Sequence, residues 1–297
     1  MWNKPWTFAE GFLIGFGLII AGLMLELSVG PIAWDAFEWP INIIVLTVFL
    51  LIIAMMYLLR KRVYAFRFIG SYHAAIPALV YAVILTIIMG LTRQTVKGRW
   101  LNDMLSFWPF VLIYVYMTVI LGLVIIRQIR NTITHFFLST FNFSIPFHIG
   151  LFIAMTTATL GNADIQRLKM ITAKGEPEWR ALDQQGTVKE LPIAIELKQF
   201  IMEKYDDGSP KRFASKIQIL TQTGKNLQTT VDVNKPAEVD GWKIYQYGYD
   251  TQMGAMSNTS ILELVRDPWL PTVYTGIYLM LFGAVLMFIS GGRRKRA

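Results

Sequence analysis

The chain has 297 residues, of which 54% are apolar and only 16% charged, a balance outside that of ordinary soluble domains. It contains no cysteine, which excludes disulfides, thiolate metal sites, covalent haem attachment to this chain and Cys-x-x-Cys redox chemistry. The net charge of +8 does not signify a nucleic-acid partner: residues 162–267 carry fourteen basic and fifteen acidic side chains, so the excess lies among the apolar stretches.

A helical crossing of the bilayer needs about 20 mostly apolar residues. In chain order, the stretches that meet or approach this length are Phe8–Val29, Ile41–Leu59, Ser71–Leu91, Leu105–Ile126, Ile145–Leu160 and Leu270–Ser290. The fold class expected is therefore a membrane protein, an α-helical bundle of six transmembrane helices. The first stretch is too long for a cleaved signal peptide, has one lysine before it and lacks a small-x-small site before Pro31. The fifth is the shortest.

Basic residues alternate between loops. Lys4, the group Arg60, Lys61, Arg62 and Arg67, the pair Arg127 and Arg130, and the tail Arg293–Arg296 fall on one side. The short loops opposite hold only Arg93, Lys97 and Arg99. The positive-inside rule then places both termini in the cytoplasm and residues 162–267 outside, in a multi-pass protein of the cytoplasmic membrane. Trp34, Trp39, Trp100, Trp108 and Trp269 would form the outer aromatic belt, with Trp2 and Trp6 at the inner interface. Glu26, near the outer end of the first helix, would lie in the headgroups or pair with Arg93 or Arg99.

After Leu160 the composition turns polar. Residues 162–175 read as a tether, followed by strands at Ile193–Lys198, Phe213–Leu220, Asn226–Val233, Trp242–Tyr249 and Ser260–Val265. Turn signals separate them, among them Asp207-Gly208-Ser209-Pro210, Thr223-Gly224-Lys225 and Asp240-Gly241. The pattern predicts a mainly antiparallel β domain, a sandwich or barrel-like sheet, over 162–267. Five helices over 1–161 precede it, and the sixth helix with its basic tail follows over 268–297. The β domain has no histidine and no glycine-rich phosphate loop, so a binding or scaffolding role fits it better than hydrolysis. Trp242, Tyr245, Tyr247 and Tyr249 offer aromatic contact to a partner peptide. Alternation would put the three tyrosines on one strand face, where a sheet core or cross-strand stack is an equal reading.

All three histidines lie on the predicted cytoplasmic side. His73 and His148 stand within the first turns of the third and fifth helices, and His135 lies between the fourth and fifth. An ionisable group in a transmembrane segment marks a site by default, and a neutral imidazole is the usual axial ligand of haem iron. The two helices run in the same direction, so His73 and His148 could face one another across a haem or a quinone. Equally, each could hydrogen-bond a neighbouring helix near the headgroups.

Several segments resemble the ResB, or CcsB, family of System II cytochrome c maturation. They are Asp164–Met170, Glu178–Ala181, Glu190–Leu197, Pro210–Ser215, Val233–Pro236, Gly241–Asp250 and Ile261–Trp269. Tyr72-His73-Ala74 and the helical layout are similar to the ResB half of fused CcsBA proteins. The resemblance implies a subunit that works with a CcsA-type membrane partner to pass haem outward to apocytochrome c. It would be a non-catalytic or co-catalytic part of a holocytochrome c synthase, with no catalytic residue of its own. It further implies that His73 is an axial ligand of the haem iron, with His148 the alternative cofactor-binding residue. The CcsA signature, a tryptophan-rich external loop ending in Trp-Asp and flanked by histidines, has no match here, so the partner must supply it. Two other readings stay open: a membrane b-haem subunit exchanging electrons with quinone, and a non-enzymatic receptor or scaffold.

Overall fold

The structure is a computed structural model that describes residues 2–95, 100–134 and 143–294. Its contacts divide the chain into two units, 1–163 with 269–297, and 164–268. His135, Lys97 and Arg99 lie outside the described residues.

The first unit is helical: α1 (Phe8–Val29), α2 (Ile41–Leu59), α3 (Tyr64–Ile69), α4 (Tyr72–Leu91), α5 (Trp108–Thr134), α6 (Ile145–Gly161) and α7 (Leu270–Arg294). Thr7 starts α1 through a capping box with Glu10, whose carboxylate accepts the Thr7 N–H at 2.8 Å. Five helices (α1, α2, α4, α5 and α7) are long and apolar enough to cross a membrane, and much of their apolar surface is exposed in the single chain. The sequence expectation was six. The fifth expected span is realised as α6, which has 17 residues and a length of about 26 Å against a hydrocarbon core of about 30 Å. Pro146 in its first turn follows directly on a turn at 143–144, so the helix does not extend backward.

The α5 helix is the hub, packing against α1, α2, α4 and α6. Small residues set the closest approaches. A methyl group on Gly22 of α1 would stand 2.6 Å from the Pro109 nitrogen at the start of α5. On α6 and α7, Gly150 faces the Met280 backbone, Gly276 faces Ala154 and Gly283 faces Phe147, with no space for a Cβ at any of the three glycines. The two backbones therefore meet along an antiparallel seam of the small-residue type that membrane helices use. At its far end Gly161 lies against Trp269.

The second unit is one antiparallel sheet of eight strands: β1 (Gln166–Ala173), β2 (Pro177–Leu182), β3 (Val188–Lys204), β4 (Pro210–Thr221), β5 (Asn226–Asp232), β6 (Ala237–Val239), β7 (Trp242–Tyr249) and β8 (Thr259–Arg266). Their order is β5-β4-β3-β2-β1-β8-β7-β6. The sheet curls until β5 comes close to β6 and β7 without pairing with them, a barrel-like form left open at one seam. Its core follows from alternation: Leu168 and Met170 of β1, Ile193, Ile195 and Leu197 of β3, Ile217 and Ile219 of β4, Ile244 of β7, Leu262 and Leu264 of β8.

The expected tether at 162–175 is corrected by this topology. Residues 166–173 form β1, an interior strand laddered to β8 along its whole length. Leu168, Met170 and Thr172 point inward, while Arg167, Lys169 and Ile171 point outward. The outward charges gave the segment its polar look. The strands β2 and β6 were also not foreseen.

Candidate functional site

His73 is the second residue of α4. Pro77 has no N–H to offer the His73 carbonyl four residues back, and the freed oxygen faces Gly11 of α1, where a Cβ would collide with it. The backbone of this turn is thus clamped between α1 and α4. The imidazole lies against Phe8, with ring centroids 4.7 Å apart, and against Tyr72, at 4.0 Å. Its environment is aromatic and half-buried.

His148 is held differently. Its Nδ1 stands 2.7 Å from the Ser144 carbonyl oxygen. A carbonyl can only accept, so Nδ1 carries a proton, and in the neutral ring Nε2 keeps its lone pair. That is the tautomer and the backbone support an imidazole needs to bind a metal through Nε2. Gln128 of α5 donates to the Ser144 hydroxyl at 3.3 Å, joining this corner to α5.

The α4 and α6 helices each pack on α5 and share no packed interface. The two imidazoles therefore belong to separate helix pairs, and direct packing does not bring them together. Among the described residues no group of three or more His, Asp or Glu side chains is placed to hold a metal ion. Each histidine offers one ligand at most.

Glu26 does what sequence reasoning missed. Its side chain is buried, and its carboxylate accepts the Trp108 N–H at 3.3 Å, capping the start of α5 across 82 residues of sequence. Trp108 returns a bond from its indole N–H to the Gly30 carbonyl at 2.9 Å. No local signal could have paired a carboxylate with a helix start so far along the chain.

In the β domain the four aromatic residues of β7 separate. Trp242 is 2% exposed and belongs to the core, so it offers a partner nothing, contrary to expectation. A β-bulge between Gln246 and Gly248 shifts the register against β8 and leaves Tyr247 as the extra residue. The predicted single face is thereby corrected. Tyr245 pairs opposite Glu263, whereas Tyr249 pairs opposite the buried Ser260 and stacks on Phe200 and Phe213 at 4.8 and 5.2 Å. Tyr247 projects outward beneath the Lys169 ammonium, 3.8 Å from its ring centroid. Inside the bulge, Gln246, Ser215 and Ser260 form a buried hydrogen-bonded triangle with edges of 2.6, 2.8 and 2.9 Å.

Fold and site together define a multi-pass membrane protein with a cysteine-free antiparallel β domain inserted between its last two helices. Residues 142–261 match the model of the ResB-like family. Curated relatives agree. The Cytochrome c biogenesis protein CcsB of Prochlorococcus marinus subsp. pastoris is 29% identical over 135 residues, 45% of this chain and 31% of the relative. The same protein from another Prochlorococcus marinus strain is 26% identical over 99 residues, 33% of this chain and 22% of the relative. Over that part of its length, and at moderate identity, the chain is similar to the ResB-like family and to CcsB cytochrome c biogenesis proteins. It spans about a third or less of the curated relatives it matches. Among solved structures, a Cytochrome c Heme Lyase CcmF is similar over 77% of this chain and 42% of its own, with a TM-score of 0.33 and 12% identity.

Proposed function

We propose that this protein is the ResB-like subunit of a haem-delivery complex for cytochrome c maturation, acting with a CcsA-type membrane partner. The observation that carries the reading is the family match over 142–261, a stretch that takes in His148 and all but the end of the β domain. In this reading α6 is a sixth crossing, because it runs side by side with α7 from Gly161 and Trp269 to Phe147 and Gly283. Both termini are cytoplasmic and the sheet is extracytoplasmic, as the basic loops require. Haem is the cargo. His148 presents a bare Nε2 fixed by Ser144, and His73 presents an imidazole in an aromatic pocket. Either supplies one axial ligand at the inner leaflet while the partner supplies the second. The β domain, free of thiols, holds apocytochrome without forming mixed disulfides with it.

The test is purification of the complex with its CcsA-type partner and an absorption spectrum. A Soret band is expected for the wild type, weakened in whichever of His73→Ala and His148→Ala removes the ligand. If the double variant keeps both its haem content and its cytochrome maturation, the ligand assignment is wrong. Maturation by this chain alone, in a host without any CcsA homologue, would remove the division of labour.

A further inference from the structure

The outer face of the sheet holds an opening that neither the core nor the haem reading uses. β1 is laddered to β8 at all eight residues, but to β2 at Lys169–Leu182 alone. The next contact between β1 and this part of the chain is the turn bridge Ala173–Glu176. Residues 170–172 therefore face 177–181, three against five, and β2 bows away. The Lys174 N–H donates to Asn258 on the β8 side, while the Ala173 carbonyl accepts from Glu176 on the other. Peptide groups alternate direction along an antiparallel strand, so odd-numbered residues of β1 turn theirs toward β2. Arg167 and Ile171 meet no ladder partner there, and Ile171 is the one beside the opening. Across the opening, the Trp179 and Arg180 N–H groups turn to the Glu178 carboxylate, at 3.1 and 3.0 Å.

The opening is a slot of about 160 Å³ lined by Lys169, Ile171, Glu178, Arg180, Leu182 and Val188 among others. A cavity of about that size holds one aromatic ring or one leucine-sized side chain. Ile171 and Val188 are 55% and 56% exposed, Trp179 adds exposed aromatic surface on β2, and Tyr247 adds more from β7, two strands from β1. Arg180 is neutralised by Glu178 through two bonds of 2.8 and 3.0 Å. Lys169 makes no ion pair among the described residues, its ammonium resting over Tyr247. The slot thus combines an apolar floor, a lysine that stands opposite Glu263 in the ladder to β8 without closing an ion pair, and the Ile171 peptide group, turned toward β2 without a ladder partner.

We propose that this slot takes an apolar side chain from an extended polypeptide segment. A carboxylate next to that side chain meets Lys169, and the segment's backbone meets the peptide group of Ile171. A lipid would bring apolar chains but not the paired donor and acceptor that another backbone offers. The proposal deepens the haem-delivery reading and rests on it for the nature of the client, an unfolded cytochrome chain.

The test uses the full chain in nanodiscs and, as probe, fluorescein-labelled, reduced, haem-free cytochrome c. Ile171→Glu and Val188→Glu should each raise the dissociation constant at least about tenfold, as buried anchor positions do. Lys169→Glu should weaken binding and flatten its salt dependence, while Tyr205→Glu, on the β3–β4 turn, should leave it unchanged. A photoreactive phenylalanine at Val188 should cross-link to the probe. Unchanged affinity in the three slot variants would overturn the proposal, as would a cross-link only to a second copy of the chain. Should a glutamate disturb the strand signal in circular dichroism, Lys169→Glu decides, because its side chain already projects outward. The Soret band reads the haem question separately: probe binding without the band removes the haem reading and leaves the slot standing, and the converse removes the slot.

Discussion

Glu178 shows how one side chain can stand in for ladder partners, its carboxylate accepting the Trp179 and Arg180 N–H groups. Hydrogen bonds from the Arg180 side chain first, then the backbone amides of Arg180 and Trp179, hold its carboxyl well below the usual carboxylate range, at about 2. A depressed folded-state value means the stabilisation is complete above the unfolded value of about 4.3 and fades as pH falls toward 2. Hydrogen-exchange protection of residues 177–190 should therefore differ between wild type and Glu178→Gln at neutral pH, and the difference should close near pH 2. A difference that persists undiminished at pH 2 would refute the assignment. Trp242 allows a second test. It is fully inside the core, and its indole N–H has no acceptor. Trp242→Ala should cost about 3–5 kcal/mol in a denaturant titration. Trp242→Phe should cost far less, because it also removes a buried unpaired donor that itself costs about 1–3 kcal/mol. At this scale the sequence was a partial guide. Alternation correctly flagged Trp242 to Tyr249 as a strand, but a one-residue bulge at Tyr247 moved Tyr249 to the other face, and Gly248 inside the strand was the one signal of it. The position of His148 was legible; its Ser144 support, which fixes the tautomer, was not.

Among the elements, the α6–α7 pair depends on glycine more than on apolar mass. Gly150→Leu or Gly276→Leu should push the helices apart and lower the thermal midpoint in detergent, read by intrinsic fluorescence. Gly17 and Gly90, which face open space, should accept alanine with little change. Equal midpoints for the two classes would show that the seam carries no weight. The long apolar runs made α1, α2, α4, α5 and α7 plain from composition, because a bilayer imposes one length on all of them. The extent of α6 was read almost to the residue, from Ile145 to Leu160 against Ile145–Gly161, and what the apolar run could not supply was the length of a full crossing. β1 was missed for the opposite reason: a strand with one wet face alternates Arg167, Lys169 with Leu168, Met170, and its mean polarity resembles that of a linker.

For the whole molecule, orientation is the open physical variable, and the absence of cysteine makes it directly measurable. Single cysteines at Tyr205 and at Lys61 report on the two sides without background. A membrane-impermeant maleimide should label Tyr205→Cys in intact cells and Lys61→Cys only after the membrane is breached. The reverse pattern would invert the topology. Loop charge was enough to propose this arrangement because the sheet is nearly neutral and leaves the excess to the loops. The helix packing around α5, which keeps His73 and His148 on separate helix pairs, could not be read from periodicity, since lipid-facing and helix-facing surfaces are equally apolar.

The pairing of β1 with β8 means that the sheet begins and finishes on adjacent strands, just as the helices on either side of it, α6 and α7, are themselves neighbours. A module whose two ends meet can be excised as a cassette. Replacing residues 164–268 by a short glycine-serine bridge should leave a foldable helical remnant, and a foreign β module with equally close ends could be grafted in its place. Such a layout lets the β half diversify while the helical half stays as it is.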